Sequence, residues 1–103
     1  MGMVRARVDK SELERWQALD AAAVLDALAD HVKADRDFKL RQASGTERVH
    51  FSAAGRDWEF LLLGPKWFDT RMRRGGGGAI DLAMHVFGVT FTDTVKLIRQ
   101  KGV

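Results

Sequence analysis

The chain has 103 residues, with 17 Lys plus Arg, 14 Asp plus Glu, no Cys and a formal net charge of +3, a size that predicts one domain around one modest core. At 46% hydrophobic and 30% charged the composition is that of a globular chain and not a disordered one, and the lack of cysteine excludes disulfides and thiolate metal sites. No apolar run approaches the ~18 residues of a membrane span and no secretory leader opens the chain, so a cytoplasmic protein without membrane contact is expected.

Residues 1–10 show no apolar period and read as a flexible tail ahead of a single module over 11–103. Ser11-Glu12-Leu13-Glu14 reads as a capping box that opens a short helix with Leu13, Trp16 and Leu19 on one side. Asp20 caps a second helix running to Lys33, because Val24, Leu25, Leu28 and Val32 keep one apolar stripe. Alternation then takes over in Phe38-Lys39-Leu40-Arg41-Gln42 and again in Arg48-Val49-His50-Phe51-Ser52, as in half-buried strands. Ala43–Thr46 and Ala54–Asp57 supply turns. Trp58–Leu63 is a strong strand, placed centrally because its far end is apolar at every position. Gly64-Pro65 breaks it, and Lys66–Asp69 can form a last short strand.

Gly75–Gly78 follow Arg71-Met72-Arg73-Arg74 and read as a sharp loop. Ala79–Phe87 is a helix with Ile80, Ala83, Met84 and Phe87 inward, stopped by Gly88 in the left-handed conformation. Thr90 caps a final helix with Val95, Leu97 and Ile98 inward. The order predicts an α+β fold: an antiparallel three- to four-stranded sheet flanked by N-terminal and C-terminal helices.

No Gly-x-Ser-x-Gly, His-Glu-x-x-His or cysteine nucleophile is present, so no catalysis by this chain is expected. His31, His50 and His85 lack ligand spacing, so neither a metal nor another cofactor is expected. Four glycines before a helix can cradle a phosphate, but neither a Walker ending nor a βαβ context accompanies them; a close-packing turn is the simpler reading. Positive charge gathers in the middle, net +4 over residues 36–74 against −2 over residues 1–35, which is where a polyanion would be drawn. There Lys66-Trp67-Phe68-Asp69-Thr70-Arg71-Met72-Arg73-Arg74 interleaves four cations with two aromatics. Cations can track phosphates while an exposed ring stacks on an unpaired base. Alternation leaves one of Trp67 and Phe68 in the core and the other half exposed. Lys39, Arg41, Arg48 and Arg56 extend the same face if the strands pair in sequence order.

From Trp67 to Ile98 the sequence resembles the C-terminal part of the zinc-binding domain of bacterial DNA primases. The likeness lies in Trp67-Phe68-Asp69, the glycines, Ala79-Ile80-Asp81-Leu82-Ala83-Met84, and Val89-Thr90-Phe91-Thr92-Asp93-Thr94-Val95. Gly-Gly-Gly-Ala-Ile-Asp-Leu-x-Met-His is most similar to zinc-less versions found beside Toprim modules in mobile elements. By the resemblance, the ligand positions would be Thr70 and Arg73, with the earlier pair near Glu47 and His50, so three of four ligands are missing. Phe51, Trp58, Phe60 and Trp67 are then expected to fill the metal's place.

The resemblance implies an accessory module for single-stranded DNA in replication or mobile-element processing, partnered with a Toprim primase or a helicase. The candidate nucleic-acid-binding residues are Lys39, Arg41, Arg48, Trp58, Lys66, Trp67, Arg71, Arg73 and Arg74, with Trp58 or Trp67 stacking on bases. The alternative is a protein-interaction module that docks on such an enzyme without touching nucleic acid.

Overall fold

Apolar alternation between residues 47 and 69 builds a sheet, and the two-residue turns inside it set its register. The computed structural model describes residues 8–34 and 45–103. Within them lie α1 Lys10–Ala18, α2 Ala21–Leu28, β1 His31–Ala34, β2 Glu47–Ala53, β3 Arg56–Leu63, β4 Lys66–Asp69, β5 Arg74–Gly77, α3 Ala79–Phe87 and α4 Phe91–Gln100. The strands form one antiparallel sheet in the order β1-β2-β3-β4-β5. This is the α+β fold expected, with β3 central and with five strands rather than three or four.

Each hairpin has its own turn chemistry. Ala54 and Gly55 join β2 to β3 with φ of 53° and 72°, the two positive angles of a type I′ turn. Gly64 at φ 56° and Pro65 join β3 to β4 with glycine first, as a type II′ turn requires. The third connection, Thr70–Arg73, is held by Asp69, whose Oδ1 accepts from the N–H groups of Arg71 at 3.0 Å and Met72 at 3.1 Å.

One face of the sheet carries Val49, Phe51, Ala53, Trp58, Phe60, Leu62 and Trp67. These join Trp16 of α1, Val24, Leu25 and Leu28 of α2, Leu82, Ala83 and Val86 of α3, and Val95 and Ile98 of α4 in one core. Aromatic rings fill its centre. Phe60 lies 5.2 Å from Trp67 in a stacked pair and 4.9 Å from Phe51 edge-on, centroid to centroid. Such contacts add roughly 0.5–1.5 kcal/mol each beyond area burial.

Several sequence expectations are corrected. Asp9, not Ser11, caps α1, with its side chain accepting from Glu12 N at 2.8 Å, so the helix begins inside the segment read as tail. The second helix ends at Leu28, and His31–Ala34 forms an edge strand. There Asp30 N donates to Ser52 O, and Val32 is exposed. The strand expected at 38–42 lies outside the described residues. The glycine segment is no loop: Gly75–Gly77 pair with Phe68, Trp67 and Lys66 as strand β5. Glycine is required there by close approach. A Cβ on Gly76 would collide with the Asp81 carboxylate and come within 2.8 Å of the Trp67 ring. In α3 the buried set is Ala79, Leu82, Ala83 and Val86, so the inner face is rotated from the one expected. Gly88 does end α3 in the left-handed conformation, and Thr90 does cap α4 through Asp93 N.

Candidate nucleic-acid interface

The helices bury one side of the sheet, and the pairing register decides what the other side presents. Residues directly opposite one another share a face. The other face, left uncovered by the described helices, therefore reads in rows across the strands: His31, Ser52 and Asp57; Lys33, His50 and Glu59; Arg48, Leu61, Phe68 and Gly75; Leu63 and Lys66. Phe68 keeps 40% of its surface exposed and Leu63 keeps 45%. With Leu61, Thr46 and Lys66 they border an apolar depression of about 140 Å³. At the other end, His31, Lys33, His50, Asp57 and Arg71 border a groove of about 360 Å³.

Glu59 organises the polar part of this face. Its carboxylate accepts the Thr70 hydroxyl at 2.8 Å and lies 3.6 Å from Arg48 Nε and 3.9 Å from His50 Nε2. Arg71 Nη1 donates to the Asp57 carbonyl at 3.1 Å, which draws the turn after β4 over the edge of the face. Arg48 and Lys66 thus flank Phe68, Leu61 and Leu63 at one end of the face, and Lys33 and Arg71 lie at the other with Asp57 and Glu59.

The two indoles expected to stack on bases are both in the core: Trp58 is 4% and Trp67 3% exposed. Trp58 Nε1 donates to Ala53 O at 2.9 Å, and the Arg56 guanidinium lies 4.6 Å over its ring. Trp67 Nε1 is buried with no hydrogen-bond partner among the described residues. The alternation Trp67-Phe68 was visible in the sequence, but the exposed member is Phe68. The expected cations also divide between two sides. Arg48 and Lys66 lie on the uncovered face. Arg56, opposite the buried Ala53, and Arg74, opposite the buried Asp69, lie on the helix side. Arg73 stands at the tip of the turn with φ 56°. Lys39 and Arg41 lie outside the described residues.

The expected metal-ligand positions do not share one face: Glu47, opposite the buried Leu62, is on the side of the aromatic rings. His50 and Thr70 converge on Glu59 on the uncovered face, whereas the rings pack on the opposite one. Among the described residues no group of three or more His, Asp or Glu side chains is arranged to hold a metal ion.

A polar pair that sequence reasoning missed sits inside the aromatic cluster. His85 of α3 meets Asp69 Oδ2 through Nε2 at 2.8 Å, with 6% and 1% of the two side chains exposed. The rings of Trp67, Trp58 and Phe60 surround His85 at 4.8, 5.8 and 5.9 Å. Burial on its own raises the pKa of Asp69. The bond to His85 and those from Met72 N and Arg71 N outweigh it and hold the carboxyl below its ordinary value. The pair ties the β4–β5 turn to α3 and so places Arg71–Arg74. Its one sequence signal is an Asp at the end of a strand, a residue whose side chain commonly accepts from the backbone N–H two residues on.

Compared with known proteins, the chain matches no family model, no curated protein and no solved structure. Among the described residues no helix is long and apolar enough to cross a membrane.

Proposed function

We propose that the protein is a non-enzymatic accessory module that binds single-stranded nucleic acid, DNA foremost, on the uncovered sheet face. The observation that carries this reading is Phe68. It is a large ring left exposed on a sheet, in one row with Arg48 and Leu61 and next to Lys66. Phe68 takes the stacking role, with Leu61 and Leu63 as an apolar floor, while Lys33, Arg48, Lys66 and Arg71 meet backbone phosphates. Base–aromatic stacking contributes ~1–3 kcal/mol per base and tolerates any sequence, so sequence preference is slight. The resemblance to the primase zinc-binding domain supports the same role. On this reading the module acts in the cytoplasm in replication or mobile-element DNA processing, beside a Toprim primase or a helicase, with no zinc of its own.

The test is a fluorescence-anisotropy titration with labelled oligothymidylate. Affinity should fall steeply between 50 and 200 mM salt as counterions compete, and Phe68→Ala should weaken it about 5- to 150-fold. No binding at low salt refutes the reading. The exposed Leu63 and Phe68, with the half-buried Leu61 beside them, also favour a second one, in which they anchor a protein partner. Glutamate at Lys66 and Arg71, both on the uncovered face, separates the two: it sharply weakens DNA binding under the first and spares partner capture under the second.

A further inference from the structure

The helix side of the sheet has a second opening, independent of the Phe68 face. Arg56 at the start of β3 and Arg74 at the start of β5 border a groove of about 370 Å³, with Met72, Met84, Trp58 and His85. We propose that this groove binds a phosphate monoester, with both guanidinium groups on the phosphate and the two methionines against the organic part.

Five observations support the assignment. The Arg56 guanidinium is laid over the Trp58 ring at 4.6 Å; stacking uses its faces and leaves the in-plane N–H groups, the ones that grip an oxyanion, at the rim. Neither Arg56 nor Arg74 forms an ion pair with a described carboxylate. Of the two acids nearby, Asp69 is held by His85, Arg71 N and Met72 N, and Asp81, whose Oδ2 accepts from Gly77 N at 3.0 Å, leaves one negative charge at the edge of the groove. With Asp81 counted, the two arginines still leave the groove an excess of positive charge, and a monoester, which carries roughly −1.5 to −2 at neutral pH, gains more from it than a singly charged diester or carboxylate. Methionine walls adapt to an apolar body of variable shape.

The monoester has two possible sources, a free nucleotide or the 5′ end of a strand, and the experiment separates them. Thymidine monophosphate is titrated into the full chain with 31P line broadening as the readout. Oligothymidylate with a 5′-phosphate is then compared with its 5′-hydroxyl counterpart by anisotropy. Broadening that Arg74→Gln reduces at least about tenfold in affinity, with Phe68→Ala within twofold of wild type, supports the groove. Arg74 is exposed at a strand end, so its variant keeps the fold; Arg56→Gln, checked for wild-type tryptophan fluorescence, should show the same loss. A gain in affinity from the 5′-phosphate that disappears in Arg74→Gln assigns the groove to strand ends, and no gain, with the nucleotide still bound, assigns it to small phosphomonoesters. Neither probe responding, or both responding unchanged in the two arginine variants, overturns the proposal. Nucleotide binding without any oligonucleotide binding sinks the sheet-face reading and leaves this one standing.

Discussion

Replacing Asp69 by alanine removes the link between the β4–β5 turn and α3. The carboxylate accepts three hydrogen bonds, from Arg71 N, Met72 N and His85 Nε2. Bonds to a charged group contribute about 1.5–3 kcal/mol each. The two N–H groups at the turn regain water after the loss, so most of the cost comes from His85, whose polar ring is left unpaired among Trp58, Phe60 and Trp67. Leaving a buried polar group unsatisfied costs about 1–3 kcal/mol, and with the turn bonds added we expect a loss of about 2–4 kcal/mol. A domain of this length has a total of only ~5–15 kcal/mol. Asp69→Asn keeps one oxygen for the turn and offers its amide to His85, so it should lose only about 1–2 kcal/mol. Urea unfolding followed by tryptophan fluorescence measures both, since two of the three indoles lie against the site. An alanine variant within about 1 kcal/mol of wild type, or an asparagine variant as damaged as the alanine one, would refute the reasoning.

The same carboxyl gives a pH dependence. Its folded pKa is depressed, so its stabilisation is present above the unfolded value and is lost as pH falls through the folded one; the stability gap between wild type and Asp69→Asn should close as pH drops below about 4, as read from urea midpoints. Gly76→Ala should cost about 1–3 kcal/mol through overpacking against Trp67 and Asp81, whereas Gly77→Ala, with nothing within 4 Å of its added carbon, should stay within about 0.5 kcal/mol in the same assay. Ala54→Gly should raise the thermal midpoint, because it relieves the roughly 1 kcal/mol that an alanine spends at positive φ. Phe68→Ala should leave the unfolding midpoint within a few degrees of wild type while weakening oligonucleotide binding, because its ring adds little to the core.

Local chemistry was legible wherever one residue type meets one backbone need. Gly88 ends α3, Thr90 opens α4, and Gly64-Pro65 turns β3 into β4, each through its own φ or side-chain acceptor. The misread stretches are those where two structures share a pattern. Val24, Leu25, Leu28 and Val32 fit one helical stripe, yet the chain leaves the helix after Leu28, and His31–Ala34 pairs with β2 instead. A glycine run has no side chains to alternate, so β5 carries no strand signal at all; its pairing with β4 is what reveals it.

The amino-acid sequence by itself determined the fold class, the central position of β3 and the fact that only one of Trp67 and Phe68 could be buried. Which of them faces water, and which arginines share a face, was decided by tertiary structure alone. Alternation has a period of two and looks the same from either side; only the register that sets Trp67 against Leu62 and Phe68 against Leu61, with helices covering the first pair, chooses between them. The His85–Asp69 contact belongs to the same category, because residues on a strand and a helix sixteen positions apart meet only once the core has packed around them.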